Sequence, residues 1–323
     1  MSSALNALAP VFGMIVIGYL LKARGIFDDG FWEPAERLTF YFLFPALLVT
    51  SIGGAETAGL RAIPMGAAMI AATLVMAGAL MIAANLFRNS SIGGPGFPSL
   101  LQGAIRPNTY VGLAAVYGLF GNVGLTLAAA AIIAVIPLVN FISIIALLRR
   151  SGPGSGIESE TEPQTTTPML SGWGAALAAS FKNPIIVACL LGIVLNFTGL
   201  GLPPVIGPML EITGSAALPL GLMAVGAGLD FGAVRKSRGV VGLATALKLA
   251  VMPGLTYAAC LVFDVTGITQ TVAVMFGALP VAAGSYVMTR QMGGDGTLMA
   301  GIVTATILGA AVTLPVVIML TAV

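Results

Sequence analysis

The chain has 323 residues, 58% of them hydrophobic and only 8% charged, with a mean hydropathy of +1.02 and a formal net charge of +2. A water-soluble domain has about a quarter of its residues charged, so lipid must cover much of this surface. The absence of histidine removes His-based proton relays, His-metal sites and Ser/His or Cys/His catalysis together, and a charge of +2 gives no reason to expect nucleic acid as a partner.

Apolar runs long enough to span a bilayer recur along the chain. They predict helices at 4–22, 34–53, 61–86, 97–120, 123–148, 183–200, 204–229, 238–263, 267–290 and 296–321. The expected fold is an all-α integral membrane protein of ten transmembrane helices, arranged as two inverted five-helix repeats. The first positive charge, Lys22, follows the first apolar run, so that run reads as a retained helix and not a cleaved leader. Cys189 and Cys260 lie in apolar runs without CxxC spacing and read as small hydrophobes.

The main polar interruption runs from Arg149 to Pro168 and is rich in Gly, Ser, Thr, Glu and Pro, the composition of a flexible linker. The expected division is a first repeat over 1–150, a linker over 151–170 and a second repeat over 171–323. Trp173, Leu177 and Phe181 recur at i, i+4 and i+8, which predicts a short interfacial helix over 171–182. Eleven of the fourteen lysines and arginines fall in loops on one side, Arg61 falls on the other, and Arg106 and Lys248 lie within spans. This asymmetry predicts a protein of the cell (inner or plasma) membrane with both termini outside and the linker cytoplasmic.

An offset of 174 superimposes Pro184 on Pro10, Gly192 on Gly18, Gly199 on Gly25, Pro219 on Pro45 and Asp230 on Glu56. Five spans per half is an odd number, so the halves must have opposite orientations. Two such halves can exchange conformations, which is the basis of alternating access.

The fourth predicted span contains Arg106-Pro107-Asn108-Thr109-Tyr110 inside an apolar run. Pro107 lacks an N–H and disfavours helix at Arg106, so the span should break there. The ninth contains Gly277-Ala278-Leu279-Pro280-Val281-Ala282-Ala283-Gly284-Ser285 at the corresponding point. Paired interrupted helices point to a transporter's binding site, and their half-helix N-termini suit negative charge. Arg106 and Lys248 are expensive within a membrane. Glu56, Glu211, Asp230 and Asp264 map to span ends, so the intramembrane balance is positive and favours an organic anion. Polar residues near helix two (Thr39, Tyr41, Thr50, Ser51) and helix seven (Thr213, Ser215) are further candidates around Pro45 and Pro219, as are Asn140, Ser143, Thr304 and Thr306. The candidate substrate contacts are therefore Arg106, Pro107, Asn108, Thr109, Pro280, Ser285, Lys248, Thr50 and Pro45.

Several segments resemble the auxin efflux carrier family, which includes bacterial carriers for malonate or malate and the plant PIN-formed auxin exporters. They are Phe44-Pro45-Ala46-Leu47-Leu48, Arg106 with Asn108-Thr109, Asn183-Pro184 through Gly192, Ala216-Ala217-Leu218-Pro219-Leu220, Gly226-Ala227-Gly228-Leu229, Leu279-Pro280-Val281-Ala282, Ser285-Tyr286, Gly293-Gly294-Asp295 and Thr313-Leu314-Pro315. The resemblance implies a scaffold and a transport domain, outside termini, and broken helices four and nine crossing at the substrate site. It also implies roles for Asn108 and Pro280 and a homodimer through the scaffold helices. One departure is that Gly112-Leu113 is followed by Ala114 where relatives often have proline, which leaves the helix-four crossover dependent on Pro107 and Gly112.

The expected function is a secondary carrier of small organic anions, such as malonate, malate or an auxin-like acid, with no cofactor or metal and with proton or sodium coupling open. The alternative is a sodium-coupled symporter of the bile-acid type. An intramembrane enzyme is disfavoured, because HExxH is absent, no GxGD pair occurs, and Asp28-Asp29 sits in a predicted loop.

Overall fold

The computed structural model describes residues 2–54, 61–87, 96–150, 183–199 and 201–321; the expected linker 151–170 and interfacial helix 171–182 lie outside these. The described residues are helical throughout, and no strand is formed among them. The helices are α1 (Ser2–Ala23), α2 (Asp29–Leu38), α3 (Phe44–Gly53), α4 (Ala62–Phe87), α5 (Gly96–Ile105), α6 (Thr109–Arg150) and α7 (Pro184–Thr198). After them come α8 (Ile206–Ser215), α9 (Ala217–Ala227), α10 (Phe231–Lys236), α11 (Arg238–Ala246), α12 (Met252–Val262), α13 (Gly267–Ala278), α14 (Gly284–Gln291) and α15 (Gly296–Thr321).

Seven stretches among the described residues are long and apolar enough to cross a membrane: Asn6–Ala23, Gly30–Gly53, Ala62–Ala84, Thr109–Leu147, Ile206–Ala227, Arg238–Val262 and Gly296–Thr321. Pro184–Thr198 and Gly267–Ala278 are apolar but shorter. Large apolar side chains face outward on these helices: Ile63 is 87% exposed, Ile82 81% and Phe197 82%. That is untenable in water and natural against lipid. The 39-residue stretch Thr109–Leu147 would be about 58 Å long at 1.5 Å per residue, nearly two bilayer cores. It breaks at Gly121 (φ 56°, ψ −139°), a conformation that a side chain would resist.

Proline punctuates two further spans. Pro45 and Pro253 open α3 and α12, and each follows a π-helical turn, Thr39–Leu43 and Leu247–Val251. Proline has no N–H and crowds the carbonyl one turn before it; the chain relieves this by widening the preceding turn to i→i+5 pairing. Phe44 N thus donates to Thr39 O, and Met252 N to Leu247 O.

Glycines set the closest helix contacts. A Cβ at Gly18 of α1 would lie 2.0 Å from the Met223 carbonyl oxygen of α9, and one at Gly226 of α9 would lie 1.9 Å from the Ile15 oxygen. Similarly, a Cβ at Gly192 of α7 would lie 2.9 Å from Ile52 of α3. Backbone this close requires small residues, the usual device for membrane helix pairs. Gly226→Ala should therefore force α1 and α9 apart and cost about 1–3 kcal/mol. A lower unfolding temperature than that of Gly254→Ala, where the added Cβ meets nothing within 4 Å, is the expected result; equal temperatures would refute the tight contact.

Candidate functional site

The centre of the molecule is a crossing of two broken helices. The buried helix α5 stops at Ile105, although Arg106 N still reaches Gln102 O at 3.0 Å. Pro107 then forms an isolated antiparallel bridge with Val281. On the other side α13 ends at Ala278, Leu279 turns extended (φ −59°, ψ 146°), and α14 resumes at Gly284. Helix four therefore breaks over 106–108. Gly112 lies inside α6, where it leaves room for Leu279, whose Cδ1 would lie 2.6 Å from an added Cβ.

Asn108 fastens this crossing. Its Oδ1 accepts from Tyr110 N (3.1 Å) and Val111 N (3.2 Å), capping α6. Its backbone N donates to Pro280 O at 2.8 Å, and its Nδ2 donates to Val281 O at 3.4 Å. From α15, Thr306 Oγ1 accepts from Val281 N at 3.1 Å while donating to Ile302 O at 2.8 Å. These bonds satisfy, within the protein, much of the polar backbone around the Pro107–Val281 contact, as irregular chain at membrane depth requires.

Beside the crossing lies a cavity of about 400 Å³. Arg106, Pro107, Asn108, Thr109 and Tyr110 form one wall and Ala282, Ala283, Gly284, Val287 and Met288 another. Helix α2 contributes Glu33, Glu36 and Arg37, the π turn after it Phe40 and Tyr41, and α6 Asn140. Nη1 of Arg106 donates to Gln102 Oε1 (3.3 Å) and lies 3.0 Å from Met288 Sδ. Gln102 is held in turn by donating through Nε2 to Thr289 Oγ1 at 3.1 Å. Among the described residues no carboxylate pairs with Arg106. The Tyr110 ring stacks on Phe44 at 4.7 Å and 20°, which supports the wall from behind.

Of the residues expected from sequence, Arg106, Pro107, Asn108 and Thr109 come together in this wall. Pro280 contributes its carbonyl to Asn108 but does not line the cavity. Ser285 is buried at the start of α14, outside the wall, with its Oγ unpartnered. Lys248 lies in the π turn before α12, in a separate void of about 10 Å³ that shares only Pro107 with the cavity. Thr50 donates to Ala46 O and Leu47 O of its own helix at 3.1 and 3.0 Å. Pro45 acts at one remove, since the π turn ahead of it contains Phe40 and Tyr41, which do line the cavity.

Two carboxylates in the cavity, Glu33 and Glu36, are not among the candidates expected from sequence, where Glu56, Glu211, Asp230 and Asp264 map to span ends. The available signal was their i, i+3 spacing on the rim of helix two, which puts both on one face. Asn140 had been one polar candidate among several; its Oδ1 is buried without a hydrogen-bond partner and it lines the cavity.

Known proteins agree with a transport role. A protein of Methanothermobacter thermautotrophicus described as an uncharacterized transporter is 23% identical over 274 residues, covering 84% of this chain and 83% of its own. The family model described as membrane transport protein matches residues 3–318, nearly the whole chain. With that match and the ordered motifs above, the chain belongs to the membrane transport protein family, the auxin efflux carrier type.

Proposed function

We propose that the protein is a secondary active transporter that carries a small organic anion across the membrane by alternating access. The observation that carries this reading is Arg106: a guanidinium on the broken crossing, facing a 400 Å³ cavity, with no carboxylate in ion-pair contact with it among the described residues. A charge so placed costs roughly 2.5–3.5 kcal/mol on insertion scales, and an anionic ligand offsets that cost. The fork of N–H groups suits a carboxylate. The apolar wall of Ile132, Ile136 and Val139, with Phe40 and Tyr41, accommodates the body of an organic acid.

Ten spans in two inverted halves make the crossing a hinge between symmetric partners. Three features support that organisation. Pro107 and Val281, which pair at the crossing, are 174 positions apart, the offset of the sequence repeat. Gly25 and Gly199 are also 174 apart, both have φ of 64°, and each follows closely on the end of a helix, α1 and α7 respectively. Finally α1 packs through Gly18 on the second half's α9, while α7 packs through Gly192 on the first half's α3.

The test is thermal unfolding of detergent-purified protein with malonate, malate and indole-3-acetate, each with and without sodium, followed by counterflow in proteoliposomes. A ligand at a hundred times its Kd stabilises the fold by about 2.7 kcal/mol. Stabilisation by a carboxylate without sodium, with saturable counterflow, is the expected result. A shift that requires sodium would favour the bile-acid type of symporter, and silence across the acids would refute the anion reading.

A further inference from the structure

The cavity holds acids as well as the arginine. Glu33 and Glu36 lie one turn apart on α2; Glu33 is exposed and Glu36 is half-buried. The charged and titratable groups facing Glu36 are Glu33 and Arg37 on its own helix, Tyr41 on the π turn after it, and Arg106 and Tyr110 from the crossing. Among the described residues the other element closely packed on α2 is α9, which carries no titratable side chain. Arg37 is exposed, and no ion pair or hydrogen bond joins Glu36 to any of these groups among the described residues.

Glu36 and Arg106 are thus opposite charges that share one cavity and do not touch. An anion seated on Arg106 brings another negative charge into the cavity that Glu36 lines, with Glu33 already one turn away. The carboxylate then gains by taking a proton. By linkage the converse holds: a protonated Glu36 removes a repulsive charge and becomes an O–H donor, so it favours the anion.

We propose that Glu36 takes up one proton as the anion binds at Arg106, so that proton and anion load into the cavity together and cross together. This rests on the anion reading above. The step forms one O–H bond on a Glu36 carboxylate oxygen, with the proton drawn from solvent on the loading side and returned to solvent on the other; no electrons are exchanged.

The test uses the full-length chain in sodium-free proteoliposomes containing a pH-sensitive dye, with malonate as probe. Wild type is expected to acidify the lumen as malonate enters, and apparent affinity should rise on going from pH 7.5 to 6.5 by up to about tenfold, the limit for one coupled proton. Glu36→Gln should bind malonate with much less pH dependence and move no protons. Titration of malonate itself would persist in that variant, so the difference in slope between the two proteins reports Glu36. Glu36→Asp retains an ionisable acid and should restore the slope, a result that a folding defect would not produce. Wild-type binding without proton movement, or an unchanged slope in Glu36→Gln, overturns the proton site and leaves the anion reading standing. Tighter binding of glycine than of malonate, lost in Glu36→Gln, would show that Glu36 receives a substrate ammonium and would also overturn it. Failure of wild type to bind malonate, malate and indole-3-acetate removes the anion reading, and the proton site with it.

Discussion

Arg106→Gln is expected to weaken malonate binding by about 10- to 150-fold while leaving a folded, monodisperse protein. Hydrogen bonds to a charged group contribute about 1.5–3 kcal/mol, and each 1.4 kcal/mol is a factor of ten in affinity. The glutamine keeps a polar end near Gln102 and Met288 but removes the positive charge from the cavity. Stability should hold or rise, because the variant also loses a charge that is costly at membrane depth and has no carboxylate partner among the described residues. Arg106→Lys separates charge from shape: it keeps the cation but loses the planar fork, so its affinity should fall between the two. Isothermal titration or ligand-dependent unfolding reads both variants. Wild-type affinity in Arg106→Gln would take Arg106 out of the site and leave the cavity without its principal anion-binding group.

Asn108→Ala should abolish transport and lower the unfolding temperature, for reasons unrelated to charge. The substitution leaves Tyr110 N and Val111 N without their capping oxygen and Val281 O without the Nδ2 donor. Loss of the cap alone costs about 0.5–2 kcal/mol, and a buried polar group left unpaired adds about 1–3 kcal/mol. The backbone bond from Asn108 N to Pro280 O remains, so the chain should still fold, with a loosened crossing. Asn108→Asp restores the capping oxygen but not the donor, and adds a negative charge to the cavity wall. It should recover much of the unfolding temperature while malonate affinity stays low. If Asn108→Ala retained wild-type uptake and unfolding temperature, the crossing would not depend on this side chain.

Much of the architecture was legible because the physics behind it is local. A run of apolar residues spans lipid whatever its neighbours are, and Pro107 and Pro280 interrupt helices through their own covalent structure. The breaks in the fourth and ninth predicted spans therefore fall where the sequence puts them, over 106–108 and 279–283. The two π turns were not legible. Pro45 and Pro253 are visible, but a proline inside a span can produce a kink, a wide turn or a fresh start, and packing chooses among these. Helix seven, expected over 204–229, is one span over Ile206–Ala227, with a single turn residue at Ala216 where α8 passes into α9.

The site divides in the same way. Arg106, Pro107, Asn108 and Thr109 are consecutive, so the residues that signal the break also line the cavity. Lys248 looked similar, a lone cation within a span, yet it occupies a different void; hydropathy registers its cost but not the direction it faces. Glu36 carries no comparable signal in the sequence, and only the packing of α2 beside the crossing makes it a cavity residue.

By itself the sequence determined that this chain lies in a membrane, where its two central helices break, and that an arginine stands at one break, since each of these follows from the properties of a residue and its immediate neighbours. The tertiary structure decided that the breaks meet at Pro107 and Val281, that Asn108 joins them, and that Glu36 and Arg106 share a cavity while Lys248 does not, because those facts depend on distances between segments remote in the chain.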